Sequence, residues 1–256
     1  MVTANLLGGL GNYMFQITAA YSLALDNKDE LIFNINDCLR VHEPISSYKE
    51  NILRNVNFTE GPLPIKNTYT EPFFHYQKIP YKKDIKINGY YQSEKYFINN
   101  REKILDFYSI DKDSLYLIEK KYGEILKKET CSIHIRRGDY LGLPNHHPTC
   151  NMGYYNKAMK IFPEETTYLV FSDDVEWCKE IFTGDNFIII EDNEDYIDLW
   201  LMSLCKNNII ANSSFSWWGA WLNKNKHKKV IAPKKWFGQA ISHNTNDLIS
   251  ETWWKI

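Results

Sequence analysis

Between residues 130 and 232, short apolar runs alternate with amphipathic stretches at a regular interval. Residues 131–135, 168–172, 187–190, 208–211 and 229–232 read as strands of four or five residues, rich in Ile, Val, Leu and Phe. In 131–135 the apolar positions Cys131, Ile133 and Ile135 fall on one face. Residues 153–162, the stretch through Trp177 and Ile181, and residues 195–205 and 215–223 have helical patterns. Strands alternating with helices in this way predict right-handed βαβ units and a parallel, doubly wound sheet. The first half is less regular. An extended start from Val2 turns at Gly8, Gly9 and Gly11, and a helix follows with Met14, Phe15, Thr18, Ala19 and Leu23 at three- and four-residue spacing. Residues 31–35 read as a strand, 101–106 and 114–127 as helices, and 40–100 as short apolar pieces punctuated by five prolines. The change of rhythm near 125–130 divides the chain into domains 1–128 and 129–256.

In open parallel sheets ligands sit beyond the carboxyl ends of the strands. The residues there are 136–140, 173–174 and 212–216, all polar or charged at their key positions.

Composition narrows the classes. The chain has 256 residues, 44% of them hydrophobic and 24% charged, enough for a packed core. A net charge of −2 argues against a dedicated nucleic-acid binder. The five cysteines are odd in number and contain no Cys-x-x-Cys pair, so they read as free thiols of a reducing compartment rather than a disulfide framework or zinc ribbon. No apolar run approaches the roughly 18 residues of a membrane span. The apolar N-terminus lacks the basic lead of a secretory signal. The expectation is a cytoplasmic protein.

Four constellations carry candidate chemistry. In His134-Ile135-Arg136-Arg137-Gly138-Asp139-Tyr140, alternation places His134 and Arg136 on one strand face. Two arginines at a strand end suit a diphosphate, because a guanidinium forks onto phosphate and keeps its charge. Salt bridges to Asp139 and a neighbour are the plainer reading. Asn212-Ser213-Ser214-Phe215-Ser216 joins a strand to a helix, where hydroxyls cap free amides and the same amides attract phosphate. Trp217, Trp218 and Trp221 beyond it read as helix packing rather than sugar stacking. Gly8-Gly9-Leu10-Gly11-Asn12 is a tight turn opening a helix. It fails both the G-x-G-x-x-G spacing of a dinucleotide loop and the G-K-[ST] of a P-loop. Asp173-Asp174 fits a metal, a ribose or base, or a helix cap, and Asp198 lies on a later helix that reaches the same edge. His146-His147 lacks companion ligands at metal spacing, and Asp111-Lys112-Asp113 reads as a helix cap.

Taken in order, these motifs resemble the bacterial α-1,2-fucosyltransferases, glycosyltransferase family 11. The resemblance rests on Gly8–Gln16, His134–Tyr140, Phe171-Ser172-Asp173-Asp174, Asp198–Ser203, Ile209–Asn223 and Ala232–Trp236. Tyr13 stands where the family usually has Gln. The resemblance implies a GT-B architecture of two Rossmann-like domains facing across a cleft. GDP-β-L-fucose would bind the C-terminal half and the acceptor mainly the N-terminal half. It further implies inverting transfer of fucose to O2 of a terminal β-galactoside, with no cofactor and no essential metal. The setting would be bacterial surface polysaccharide or O-antigen synthesis, with peripheral contact to a membrane carrying lipid-linked glycan.

Under that resemblance Arg136 is the first candidate to neutralise the departing diphosphate, with Arg137 assisting and His134 in the same donor-binding block. Ser214, Phe215 and Ser216 would hold the diphosphate, Asp198 the guanine edge, and Asp173 the nucleotide. Gly9, Gly11 and Asn12 would approach from the other domain. Asp139 is the candidate to take the acceptor proton. A transferase using another GDP-sugar, and a non-catalytic nucleotide- or sugar-binding module, are the alternatives.

Overall fold

The computed structural model describes residues 1–37 and 44–256; Cys38 lies outside the described residues. Contacts divide the chain into two compact units, Met1–Ser109 with His243–Ser250, and Ile110–Ser242 with Glu251–Ile256.

The first unit holds β1 (Val2–Ala4), α1 (Leu10–Asp26), β2 (Phe33–Asn34), β3 (Phe58–Thr59), β4 (Asn67–Thr70), β5 (Ile85–Asn88) and α2 (Arg101–Phe107). Its main sheet runs β1-β5-β4, all parallel, with Val2 opposite Ile85 and Asn67 opposite Ile85 from the other side. The strand β2 pairs in parallel with β3, and Leu31 bridges to Val2. Helix α1 is buried along most of its length, which fits its apolar run. Tyr13 turns inward, fully buried, and meets the Tyr48 ring edge-on. The short strands β3 to β5 emerge from the proline-punctuated region, where sequence periodicity is too brief to show them. Segment 243–250 returns to this unit through Asp247, which accepts from the Tyr76 amide at 3.0 Å and pairs with Lys95.

The second unit holds α3 (Lys112–Leu126), β6 (Thr130–Ile135), α4 (Met152–Met159), β7 (Thr167–Ser172), α5 (Val175–Ile181), β8 (Phe187–Ile189), α6 (Asp195–Leu204), β9 (Asn207–Ile209), α7 (Ser214–Leu222), β10 (Val230–Ala232) and β11 (Trp254–Lys255). The division therefore falls ahead of α3 rather than at 128/129. Tyr122 on α3 donates to Asn193 Oδ1 at 3.3 Å, and Lys121 to the Glu191 carbonyl at 3.1 Å, so this helix is tied to the second unit.

The second sheet has six parallel strands in the order β11-β10-β9-β6-β7-β8. Counted from β6 this is the doubly wound order 3-2-1-4-5-6. The chain first winds outward through β7 and β8, then returns to the other side of β6 through β9, β10 and β11. The reversal leaves a switch point between β6 and β9. The edge strand β11 is too short for periodicity to reveal.

Strand β6 is buried on both faces. Its apolar face, Cys131, Ile133 and Ile135, packs with Tyr155, Ala158 and Phe162. At Ser132 its polar face meets amide side chains from the neighbouring strand β9 and from the end of α7. Asn208 donates to Ser132 Oγ and to the Met202 carbonyl, each at 2.8 Å, and Asn223 donates to Asn208 Oδ1 at 2.9 Å. Buried amides tolerate such a place only when paired in this way. Trp217, Trp218 and Trp221 are all buried, with Trp217 and Trp218 edge-to-face at 5.2 Å, so they form the packing face of α7. Asp111 caps α3 by accepting from the Ser114 amide at 2.8 Å.

Candidate functional site

The β6/β9 switch point gathers most of the charged motif residues. Arg136 follows the last residue of β6 and extends its guanidinium between two carboxylates. Nη2 lies 2.7 Å from Asp139 Oδ1, and Nη1 lies 2.9 Å from Asp173 Oδ2. Arg137 turns the other way. Its Nε donates to Asp174 Oδ2 at 2.8 Å, and its guanidinium carbon stands 4.1 Å from the centre of the Trp177 ring. Cation and ring attract through the ring quadrupole. The Arg137 amide donates to Asp173 Oδ1 at 2.8 Å, which fixes the end of β7 against the end of β6. The Arg137 hydrogen bond holds the Asp174 carboxyl below its ordinary range. Asp174 also caps α5, accepting from the Trp177 amide at 3.4 Å. The cap and salt-bridge readings of these motifs are therefore realised in the structure.

Across the switch point, Ser213 caps α7 by accepting from the Phe215 amide at 3.3 Å, and Ser216 donates to the Ser213 carbonyl. One hydroxyl does the capping. Ser214 and Phe215 remain half-buried at the positive end of the helix, where amides and dipole favour an anion. Tyr140 joins the two loops by donating to the Asn212 carbonyl at 3.1 Å. Burial pushes its hydroxyl up to about 12, so it stays a donor. Asn212 in turn donates to the carbonyls of Pro148 and Trp236, each at 2.9 Å. Thus one side-chain amide and one phenol lace together the loops after β6, β9 and β10.

His134 lies on β6 beside this point, 6% exposed, with its ring 5.6 Å from that of Phe215. Its Nδ1 is buried without a hydrogen-bond partner. Burial, and then the charge of Arg136, push the imidazole down to about 3, so it is neutral at physiological pH.

Asp198 sits in the first turn of α6, which starts just past β8 and so on the same edge of the sheet. Asn193 donates to its Oδ1 at 2.8 Å and also meets the Tyr122 hydroxyl. Burial nevertheless raises this carboxyl to about 7.

The glycine motif belongs to the first unit. Gly8 takes φ +89°, a conformation that favours glycine, and Gly9 precedes α1 as its N-cap. Gly11 is buried within the first turn of α1. Asn12 accepts from Gln92 Nε2 at 2.7 Å.

Sequence reasoning gave no role to Trp177, Tyr140 or Asn212 at this edge. Trp177 was findable, since a residue three places after a helix cap lies over the first turn. The lacing by Tyr140 and Asn212 joins residues 72 apart and leaves no local signal. Among the described residues, no group of three or more His, Cys, Asp or Glu is placed to hold a metal ion. Cys131, Cys150, Cys178 and Cys205 are free thiols, and burial raises each of them. No helix among the described residues is long and apolar enough to cross a membrane.

Comparison with known proteins places these features in a family. The model of "Glycosyl transferase family 11" matches residues 1–256. The chain is 35% identical to the O-antigen biosynthesis glycosyltransferase WbnK of Escherichia coli, over 97% of this chain and 98% of that protein. It is 32% identical to an α-1,2-colitosyltransferase of E. coli, over 100% and 99%. Among solved structures, NodZ α-1,6-fucosyltransferase soaked with GDP-fucose superposes with a TM-score of 0.56 at 12% identity, over 86% of this chain and 92% of that one. The chain shares that α/β, GT-B-like fold.

Proposed function

The chain belongs to glycosyl transferase family 11, and from that premise we propose that it moves L-fucose from GDP-β-L-fucose to O2 of a terminal β-galactoside. Transfer proceeds with inversion and without a metal, in the building of a bacterial surface polysaccharide such as an O-antigen. The relatives support the setting, WbnK by its name and the colitosyltransferase by its α-1,2 linkage. The observation that carries the reading is the convergence of Arg136 and the start of α7 on the β6/β9 switch point, bridged by Tyr140 and Asn212.

The chemistry follows from charge. As the bond from C1 to the β-phosphate oxygen breaks, negative charge collects on GDP. Donors already aimed at that charge supply the largest share of such catalysis. Arg136 and Arg137 provide fixed cations, and Ser214, Ser216 and the amides about Phe215 provide hydrogen bonds. The Arg136 fork pairs with Asp139 and Asp173. Asp139 is 43% exposed and sits in a short loop, so it is the partner a diphosphate displaces. Displacement turns Nη2 of Arg136 to phosphate and frees the Asp139 carboxylate to take the acceptor O2 proton. His134, neutral and buried, backs Phe215 at the donor site without adding charge. Asp173 keeps the Arg137 amide, and Asp198 accepts from the guanine edge.

A second reading, transfer of colitose from another GDP-sugar, is favoured by the 32% identity to the colitosyltransferase. The test is GDP release from GDP-fucose with lactose or N-acetyllactosamine as acceptor, with GDP-mannose and GDP-colitose as competing donors. The expected product is the α-1,2-linked fucoside by NMR, with the rate unchanged by EDTA. GDP binding without turnover of any donor would leave a binding module in its place.

A further inference from the structure

One corner of the second unit, at the end away from the arginines, carries an unbalanced charge. Residues 205–230 contain five lysines, all just before β9 or β10, and no aspartate or glutamate, although the whole chain has a net charge of −2. Lys224, Lys226 and Lys229 are exposed on the turn between the last residue of α7 and the first of β10. That turn lies at the amino edge of the sheet. Helix α7 separates it from the switch point by nine residues, about 13 Å at 1.5 Å per residue.

The turn is firmly built. Asn225 donates to the Lys206 carbonyl at 3.0 Å and accepts from the His227 amide at the same distance. Lys228 is spent on the last carbonyls of α7, with Nζ 2.8 Å from Ala220 O. The other three lysines make no ion pair among the described residues. Lys206 does, to Glu129 at 3.4 Å, which marks the acidic rim of the patch.

An aromatic side chain completes it. Trp254, on the edge strand β11, is 50% exposed, and Lys229 Nζ lies 6.0 Å from its ring centre. Lys255 follows it, also exposed. Seven of the eight tryptophans are better hidden, so exposure here is a departure from the rule of the chain. A half-exposed indole beside Lys229, with Lys224 and Lys226 exposed on the same turn as that lysine, has the chemistry of a membrane interface. Indole settles at the headgroup level, and lysines meet anionic lipid.

We propose that Lys224, Lys226, Lys229 and Trp254 form a docking surface for an anionic phospholipid bilayer. The bilayer meets the amino edge of the second sheet, and the arginine edge of that sheet faces away from it toward soluble nucleotide. The inference concerns binding to lipid and stands independently of which sugar is transferred.

The test is co-sedimentation of the full chain with vesicles of phosphatidylcholine alone and of phosphatidylcholine with phosphatidylglycerol. Binding is expected only to the second, and it weakens as salt is raised. Each lysine near such a surface contributes about fivefold in affinity. The K224Q/K226Q/K229Q variant should therefore lose at least tenfold, and Trp254→Ala several-fold. Tryptophan emission of the wild type should shift to the blue on binding, and that of Trp254→Ala should not. Both variants should keep the wild-type turnover with a soluble acceptor, which also shows that they fold. Equal binding to neutral and anionic vesicles, no binding to either, or undiminished binding of the triple variant would each overturn the proposal. Retention on single-stranded RNA without retention on vesicles would do the same.

Discussion

Tyr140 donates its hydroxyl hydrogen to the carbonyl of Asn212 across 3.1 Å, and this bond, with the one from the Asn212 side chain to the Pro148 carbonyl, ties the loop after β6 to the loop before α7. The two residues flank the point where the sheet reverses its winding. The arginines come from one side of that point and the helix amides from the other, so their separation depends on this tie.

Tyr140→Phe removes the donor and leaves the Asn212 carbonyl without it. The expected loss of stability is about 0.5–1.5 kcal/mol. For a domain of this size the melting temperature then falls by about 2–4 °C per kcal/mol. Thermal melts with and without GDP check it. The loss is expected to be larger with GDP present, because the loosened loops also hold the nucleotide less well.

Arg136→Ala should lower kcat by at least about 10²–10³, the effect of removing one donor from a developing oxyanion. Arg136→Lys should recover little, since an ammonium cannot fork onto phosphate as a guanidinium does. Steady-state kinetics paired with circular dichroism separates lost chemistry from lost fold. Turnover within a factor of two of wild type would remove Arg136 from the mechanism.

Asp198→Asn changes the pH dependence of stability. Burial raises this carboxyl to about 7 in the folded chain, while an unfolded aspartate titrates near its ordinary value of about 3.9. Between the two values the folded state holds the extra proton, so raising the pH through this window destabilises the wild type. The variant lacks that contribution and keeps a side-chain oxygen for Asn193. It should melt higher than wild type at pH 8, with the advantage shrinking toward pH 4. Equal differences at pH 5 and pH 8 would contradict the assignment.

Gly219→Ala probes the close approach of α6 and α7. A Cβ at residue 219 would stand 2.8 Å from Met202 Cβ and 3.0 Å from its sulfur. The helices must separate or Met202 must shift, at a cost of about 1–3 kcal/mol. Chemical denaturation should show a lower midpoint with native secondary structure retained.

The sequence by itself determined the second unit closely. Apart from the two-residue β11, its strands have three to six residues within or beside apolar runs and its helices are amphipathic, and both periodicities are local properties of the chain. It also determined that Arg136, Asp173 and Ser214 follow strands β6, β7 and β9, because each motif adjoins an apolar run. The switch point was decided by the tertiary structure alone, since strand order depends on pairings between residues such as Ser132 and Asn208 that lie far apart in the chain. The same holds for the partners of the arginines. That Arg136 would meet Asp139 and Asp173 while Arg137 turned to Asp174 and Trp177 depends on how β6 and β7 register, and no local pattern encodes that. In the first unit, β1 and β2 fall within the extended start at Val2 and the strand read at 31–35, whereas β3, β4 and β5, of two to four residues, carry too few side chains to set a period, so contacts at long range fixed them.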